Sequence, residues 1–287
     1  VTSGFFMAKF QHYFLLQLVV LIAGFTGILG DLITISADYI TFFRMGIAFI
    51  SLFLIQFFLK KEDQISKENI LKLLATGAVV GLHWLTFFYA IKVSTVSVGV
   101  ICISCATLFT SFLEPLFFKR KFLPSELILS LVITAGLVMI FGFESQYYLG
   151  IIIGITSAFL ASLFNTINGL MIGKVSSFKI TRIEMLGGFI TLFIVLLFQG
   201  KIHSDAINIP ASDWGYLFLL GIVCTTLAFM LSVWLMKFLT PFTVSMSLNM
   251  EPVYTILIVL LIDWIKGTQE EHMSGGFYVG ASIIILA

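Results

Sequence analysis

The sequence predicts an all-α integral membrane protein whose ten transmembrane helices form two inverted five-helix repeats. Three observations lead to this fold class. The 287 residues are 59% hydrophobic and 11% charged, whereas a soluble domain of this size carries about a quarter charged residues. The apolar residues fall into ten stretches, each near the length that crosses a hydrocarbon core about 30 Å thick. Two loop segments 145 residues apart resemble each other and divide the chain into halves.

The ten predicted spans leave almost no residues for a soluble domain. They centre on residues 13–33, 37–59, 70–91, 95–117, 125–143, 148–172, 181–200, 213–236, 241–262 and 273–287, and short polar segments connect them. The first span has no small-residue cleavage site before Asp31, so we expect it to be retained and not removed as a signal peptide. The tenth is short, and we expect the natural helix to continue past Ala287.

Lysine and arginine residues predict the orientation of the spans, because short cytoplasmic loops of membrane proteins retain more positive residues than external loops. With the N-terminus inside, the twelve inner residues are Lys9, Lys60, Lys61, Lys67, Lys72, Lys119, Arg120, Lys121, Lys174, Lys179, Arg182 and Lys237, and the three outer ones are Lys92, Lys201 and Lys266. We therefore predict a multi-pass protein of the inner (plasma) membrane with both termini in the cytoplasm. The net charge of +1 argues against a nucleic-acid partner, since binding to phosphates requires a basic surface.

An internal repeat supports the division into halves. The segments "YAIKVSTVSVGVI" from Tyr89 and "WLMKFLTPFTVSM" from Trp234 share an aromatic residue, two apolar residues and a lysine, followed by the start of the next span. Aligning Lys92 with Lys237 sets an offset of 145 residues and predicts repeats over residues 1–144 and 145–287. Because five spans is an odd number, the second repeat enters the membrane from the opposite side, a pattern typical of transporters.

Four segments from both halves carry a family resemblance. They are "ITFFRMGIAFISLFLI" (40–55), "WLTFFYAIKVSTVSVGVICIS" (84–104), "SELILSLVITAGLVMI" (125–140) and "WLMKFLTPFTVSMSLNMEPVYTIL" (234–257). In them the chain resembles the EamA-type exporters of the drug/metabolite transporter superfamily. The resemblance implies a substrate cavity between the two halves, walled chiefly by the first, third, fourth, sixth, eighth and ninth spans. The connection over residues 266–271 lacks the usual "GE" after the ninth span, so we expect a different turn there.

Glu251 and Pro252 interrupt the apolar stretch "LNMEPVYTILIVLL" of the ninth span. An ionisable residue near the bilayer midplane costs roughly 2.5–3.5 kcal/mol even on lenient insertion scales, and it nearly always faces the protein interior. We interpret Glu251 as a substrate-binding and proton-coupling residue; the alternative is a protonated structural glutamate bonded to Asn249 or to the eighth span. Pro252 deprives the Leu248 carbonyl of its helical donor, which predicts either a helix break beside the cavity or a plain packing kink.

Polar side chains on the predicted cavity helices form a second candidate group. They are Ser104 and Thr107 in the fourth span, Asn165 and Asn168 in the sixth, and Asn249 in the ninth. Helical spacing places the members of each pair on one face. We interpret them as substrate-binding residues, with the alternative that the asparagines hydrogen-bond neighbouring helices.

Aromatic residues complete the predicted substrate site. The candidates for substrate binding are Trp84, Phe88, Phe229 and Tyr254. Aromatic rings can hold a cation or another ring. Tryptophan and tyrosine also anchor helices at the membrane interface, so this structural interpretation stays open.

Two further ionisable residues lie within predicted spans. His83, in the third span, is a candidate for proton coupling, with a buried and hydrogen-bonded histidine as the alternative. Arg44, in the second, is expected to pair with an acidic residue or with carbonyls at a helix end. Asp31 and Asp38 are its candidate acidic partners, which would form a gating pair.

Other residues receive structural interpretations. Gly77 and Gly81, four residues apart in the third span, predict a seam where another helix approaches closely. Glu184 lies near the inner start of the seventh span and is expected to meet Arg182 or Lys179.

The function that fits these features is a secondary active transporter that exports a small metabolite such as an amino acid, amine or drug-like compound by alternating access. Its expected partners are the lipid bilayer, the substrate and protons. No Walker A motif is present, so a proton gradient or the substrate's own gradient would drive transport. We expect no cofactor or metal, because Cys102 and Cys105 lack further ligands nearby. An integral membrane enzyme and a non-transporting scaffold are the alternatives.

The charge distribution yields a test of topology. Single cysteines placed at both termini and within residues 60–69 should react with an impermeant thiol reagent only from the cytoplasmic side. Cysteines within residues 201–212 should react only from outside. The opposite labelling pattern would rule out the predicted orientation.

Overall fold

The computed structural model describes residues 8–59, 64–143, 145–202, 209–266 and 275–286, and within these ranges the regular structure is helical, with no strand. The helices are α1 (Phe10–Leu32), α2 (Ala37–Gln56), α3 (Lys67–Lys92), α4 (Val96–Ile103), α5 (Cys105–Phe118), α6 (Pro124–Phe143), α7 (Tyr148–Met171), α8 (Ser177–Phe198), α9 (Ala211–Gly221), α10 (Ala228–Leu235), α11 (Pro241–Leu248), α12 (Glu251–Lys266) and α13 (Gly275–Leu286). A π-helical turn, Ile222–Leu227, joins α9 to α10. The predictions for Lys60, Lys61, residues 267–271 and Ala287 fall outside the described ranges.

Within the described residues, eight helical stretches are long and apolar enough to cross a membrane. They are Phe10–Leu32, Ala37–Gln56, Lys67–Lys92, Val96–Phe118, Ser145–Met171, Ser177–Phe198, Ala211–Leu235 and Pro241–Ile262. The remaining helices α6 and α13 pack against each other. Their backbones approach closely, since a Cβ atom on Gly280 would lie 2.7 Å from the Gly136 carbonyl oxygen. The chain is therefore an all-helical, multi-pass membrane protein, and the count of ten spans stays a prediction.

The helices begin where the sequence provides side-chain caps. The hydroxyl groups of Ser66, Thr95, Ser176 and Thr240 accept hydrogen bonds from the backbone N–H three residues later, at the starts of α3, α4, α8 and α11. Such caps satisfy donors that have no partner within the helix. At the other end of α5, Lys119 adopts a left-handed conformation with φ of 54° and ends the helix.

Three of the membrane-crossing stretches are interrupted in mid-course. The first break is at Ser104, between α4 and α5, and the second is the π-helical turn of residues 222–227. The third is a two-residue turn formed by Asn249 and Met250 between α11 and α12, where their backbone N–H groups bond to Met246 and Ser247 over 3.1 Å. Irregular backbone at membrane depth occurs where it is buried in protein or lines a cavity.

A glycine seam joins α3 to α8 and confirms the packing predicted for Gly77 and Gly81. A Cβ atom on Gly77 would lie 2.2 Å from the Glu184 carbonyl oxygen, and one on Gly187 would lie 2.3 Å from the Leu74 carbonyl oxygen. A Cβ atom on Gly81 would lie 3.1 Å from the Cα atom of Gly188. Side chains at these positions would push the two backbones apart.

This seam generates a stability prediction. Gly77→Ala should lower the free energy of unfolding by roughly 1–3 kcal/mol, because the new methyl group meets backbone that cannot move without shifting a helix. Gly215→Ala is the matched control, since Gly215 lies in α9 and a Cβ atom added there would have no other atom within 4 Å. It should be neutral or stabilising by up to about 1 kcal/mol. Thermal melting of both variants in detergent measures the difference, and equal melting temperatures would show that the seam is not tight.

Candidate functional site

A cavity of about 110 Å³ lies at the centre of the helices. Its lining residues are Val19, Ala23, Thr26, Arg44, His83, Trp84, Phe87, Ile103, Ala161, Phe164, Asn165, Cys224, Ala228, Phe229, Ser232, Leu248 and Glu251. They come from α1, α3, α4, α7, α10, α11 and α12, which belong to the spans that the family resemblance implied, together with Arg44 of α2 and Cys224 of the π-helical turn. Each of the three breaks contributes a residue to the wall: Ile103, Cys224 and the pair Leu248 and Glu251.

Glu251 lies directly after a break in the predicted ninth span. A helix break or a plain kink was predicted here, and the structure has a break, with α12 beginning at Glu251 after the Asn249–Met250 turn. Its side chain is 6% exposed and makes no hydrogen bond or ion pair within the described residues. The free N–H groups at a helix start favour a carboxylate there. Glu251 is therefore a buried acid whose side chain lines the cavity near the Arg44 charge and makes no direct hydrogen bond within the described residues.

Pro252 is the second residue of α12. Proline suits the first turn of a helix, because the N–H group that it lacks would have no helical acceptor there. The break precedes Pro252 and is formed by the turn at Asn249 and Met250. Pro252 is thus compatible with the start of α12, beside the cavity wall.

Arg44 is fully buried and is held by the π-helical turn. Its Nε donates to Thr225 Oγ1 over 2.6 Å and its Nη2 donates to the Cys224 carbonyl oxygen over 3.3 Å. The guanidinium carbon lies 3.9 Å from the centre of the Trp84 ring. Nη1 has no partner in the part of the chain that the structure describes. The guanidinium is therefore fixed on two sides and retains one buried donor group.

The proposed gating pair of Arg44 with Asp31 or Asp38 is wrong. Asp38 bonds instead to Lys201 over 2.5 Å and to Ser36, and Arg44 bonds to the π-helical turn. The alternative prediction was that Arg44 bonds to carbonyl groups at a helix end. The structure has a related contact, because the Cys224 carbonyl group belongs to the π-helical turn between α9 and α10. A π-turn leaves carbonyls out of the regular helical pattern, so it can accept from arginine.

His83 is a cavity residue with a hydrogen-bonded ring. Its Nδ1 lies 2.9 Å from the Ser157 carbonyl oxygen, and Ser157 Oγ donates to the His83 carbonyl oxygen over 2.9 Å. Since a carbonyl only accepts, this contact places a proton on Nδ1. These bonds tie α3 to α7 and match the structural alternative given for His83; its role in proton coupling stays a prediction.

Five of the predicted site residues line the cavity: His83, Trp84, Asn165, Phe229 and Glu251. The Trp84 and Phe229 rings meet edge to face with centres 5.7 Å apart. Asn165 is 5% exposed and makes no hydrogen bond within the described residues. These side chains combine apolar surface with separate polar groups, as small-molecule sites usually do.

The other predicted site residues lie outside the cavity wall. Thr107 Oγ1 donates to Asn249 Oδ1 over 3.1 Å across the two half-helix breaks, and Ser104 is buried at the α4–α5 break. Phe88 fills the space left by Gly30, where a Cβ atom would lie 2.3 Å from its ring. Tyr254 donates from its hydroxyl group to Gln17 Oε1 over 3.2 Å.

Asn168 and Glu184 bond to each other, away from the cavity. Asn168 Nδ2 donates to Glu184 Oε2 over 3.2 Å, and both side chains are fully buried. The expectation that Glu184 meets Arg182 or Lys179 at the interface is therefore wrong, because α8 turns it towards α7. Asn168 thus hydrogen-bonds a neighbouring helix, which was the alternative interpretation given for the asparagines of the sixth span.

Sequence reasoning missed Arg44 as part of the cavity wall. A signal was available, since Arg44 is the one arginine inside the apolar segment of residues 40–55. An ionisable residue at such a depth nearly always faces a cavity or the protein interior. Its partner, the π-helical turn at residues 222–227, has no comparable pattern in the sequence.

Comparisons with known proteins agree with this architecture. The model of the EamA-like transporter family matches residues 11–142 and 148–286. An uncharacterized transporter from Helicobacter pylori strain J99 is 32% identical over 145 residues, which are 48% of this chain and 49% of the relative, so about half of that relative's length is matched. A solved crystal structure covers 97% of this chain and 95% of its own with a TM-score of 0.67. At 14% identity, it shows likeness of fold alone.

The contrasting surroundings of the two asparagines on α7 give a matched test. Asn168→Leu should cost roughly 1–3 kcal/mol of stability, because it leaves the buried Glu184 carboxyl group without its donor. Asn165→Leu should leave the melting temperature near that of the wild type but weaken substrate binding. Melting curves and substrate affinity of the two variants check both expectations. A strongly destabilised Asn165→Leu variant with normal affinity would show that Asn165 is a packing residue.

Proposed function

Because the chain belongs to the EamA-like transporter family, we propose that it is a secondary active transporter that exports a small metabolite by alternating access. The proposed substrate is an amino acid, an amine or a drug-like compound. One observation carries the proposal: the cavity is lined by a buried acid, without a direct hydrogen bond in the described residues, at a break in a membrane-crossing helix. In transporters, broken helices near the midplane form the sites for substrate and coupling ion.

The proposed architecture has ten spans in two inverted repeats, residues 1–144 and 145–287. The breaks support it. The half-helices α4 and α11 each have eight residues, and their starts, Val96 and Pro241, are separated by the offset of 145 residues found in the sequence. A threonine caps each of them. The two ranges matched by the family model also meet near the proposed boundary.

Polar contacts between the proposed halves suggest where the alternating gates lie. On the predicted outer side, Thr34 donates twice to Asp213 Oδ2, over 2.8 and 2.9 Å, and Lys201 pairs with Asp38. On the predicted inner side, the Phe242 N–H donates to Glu114 Oε2 over 2.7 Å. Rocking of the halves would break one set of contacts while the other persists, which is the movement that alternating access requires.

The proposed orientation places both termini in the cytoplasm of the cell and the chain in the inner membrane. The loop charges support it. Arg120, predicted to be inside, bonds to Glu114 over 3.2 Å and to Glu126 over 2.7 Å. These pairs fix the inner end of α5 against the start of α6.

Glu251 is the proposed coupling residue. A carboxylate in this cavity can exchange a proton or pair with a positive group of the substrate, and either role uses its charge in the transport cycle. A scaffold protein would leave both Glu251 and the orphan Nη1 of Arg44 without a purpose. Membership of a transporter family likewise favours transport over an enzymatic reaction.

Glu251→Gln should abolish transport driven by a pH gradient or remove its pH dependence. The substitution keeps the shape and hydrogen bonding of the side chain but removes the charge. The melting temperature should fall, because Arg44 then shares the cavity with no negative side chain and an uncompensated buried charge is destabilising. Flux in proteoliposomes against pH, with melting temperature alongside, measures both effects.

Glu68→Gln is the control for this experiment. Glu68 lies at the start of α3 in an exposed pair with Lys72, 2.6 Å apart, and exposed pairs contribute little. Its flux and pH profile should match the wild type. Wild-type flux and pH dependence in Glu251→Gln would remove Glu251 from the mechanism.

A further inference from the structure

The cavity contains one positive and one negative side chain, which attract each other but are not joined by a hydrogen bond. Arg44 and Glu251 both line it, yet no ion pair within 4 Å joins them. Arg44 Nη1 lacks a hydrogen-bond partner and the Glu251 carboxylate makes no bond within the described residues. A buried charged group without a partner is costly. Both groups therefore have free capacity for a ligand.

The guanidinium of Arg44 is held in place by the protein and not by Glu251. Nε bonds to Thr225, Nη2 bonds to the Cys224 carbonyl group, and the Trp84 ring lies 3.9 Å from the guanidinium carbon. Side-chain entropy has thus already been lost before a ligand binds. A planar, oriented guanidinium is well suited to bind a carboxylate.

Charge balance restricts the ligand. With Arg44 positive and Glu251 negative, the two groups sum to zero. A ligand with a single charge would leave the cavity with a net charge in surroundings of low polarity, which is unfavourable. A ligand with one negative and one positive group satisfies both side chains and keeps the site neutral.

The size and the walls of the cavity restrict the rest of the ligand. A volume of about 110 Å³ has room for a small ligand of several water-sized groups. Much of the wall is apolar and includes Phe164, Phe229 and Ala161. The ring of His83 is already bonded to Ser157. The remaining part of the ligand should therefore be a small apolar side chain.

We propose that the substrate is a zwitterionic α-amino acid with an apolar side chain, whose carboxylate accepts from Arg44 and whose ammonium group pairs with Glu251. This inference rests on the proposed transport function and specifies its substrate. Arg44 and Glu251 then act together as specificity-determining residues. Removal of either charged group from the ligand leaves the opposite side chain unpaired, which sites built for hydrogen bonding penalise strongly.

The test compares each amino acid with its two singly charged analogues. Purified wild-type protein is melted with alanine, valine, leucine, isoleucine and methionine, each beside its decarboxylated amine and its deaminated acid; for leucine these are 3-methylbutylamine and 4-methylpentanoate. At least one amino acid should raise the melting temperature, because a ligand of the folded state stabilises it. Its two analogues should bind about tenfold or more weakly. An amine or acid that binds as tightly as its parent amino acid would overturn the inference.

Variants test which side chain binds the carboxylate and which binds the ammonium group of the ligand. Arg44→Gln should weaken amino-acid binding about tenfold or more and remove the preference over the amine, whereas Glu251→Gln should remove the preference over the acid. If a side chain only supports the fold, its substitution should weaken the binding of all three ligands equally, and that result would overturn the assignment. If Arg44→Gln does not fold, the wild-type comparison still decides.

Proteoliposome flux separates this inference from the proposed function. The vesicles are assayed with the amino acids and with a panel of quaternary amines and drug-like compounds. Transport of a panel compound with no binding or transport of any amino acid would overturn the zwitterion assignment and leave the transporter intact. An absence of transport for every compound would overturn the proposed function and, with it, this inference.

Discussion

The hydrocarbon core of a bilayer offers no hydrogen bonds, and this constraint determines where the polar groups of the chain lie. Most buried polar side chains join two helices. Asp213 binds Thr34, Glu114 binds the start of α11, and Asn168 binds Glu184. Arg44 and Glu251 differ from these because Arg44 bonds to the π-helical turn and Glu251 makes no hydrogen bond to another helix within the described residues. They also face the same cavity, so the cost of burying them has a common explanation in a ligand.

The half-helices α4 and α11 are alike in length and capping but are followed by different side chains. The half-helices α4 and α11 end at Ile103 and Leu248, and each is followed by a break that borders the cavity. Thr107 bonds to Asn249 across the two breaks. Their chemistry differs, however, since Glu251 begins α12 whereas Ala106 stands at the position 145 residues earlier. The cavity thus takes its acid from α12 and its positive charge from α2.

The sequence predicted the helices better than it predicted the individual contacts. Long apolar stretches and capping hydroxyl groups such as Thr95 and Thr240 identify spans directly, because they reflect local physical chemistry. The cavity wall required the family resemblance. Asn165 and Asn168 share a helical face, yet only Asn165 lines the cavity, because α8 packs over the next turn and binds Asn168. Helical periodicity predicts the direction in which a side chain leaves its helix, but it does not identify the helix that packs there. The π-helical turn likewise makes a tertiary contact that the sequence does not reveal, because Thr225 Oγ1 accepts from Arg44 Nε over 2.6 Å.

Cys224 allows the most direct test of whether the cavity is a passage through the membrane. It lines the cavity, whereas Cys102 and Cys105 are buried elsewhere. In a C102A/C105A protein reconstituted in vesicles, the rate of Cys224 modification by a small, charged, impermeant thiol reagent can be measured from each side of the membrane. Alternating access predicts reaction from both sides, with the rate lowered by a transported substrate. Reaction from one side alone, or a rate unaffected by substrate, would contradict a transport site at this cavity.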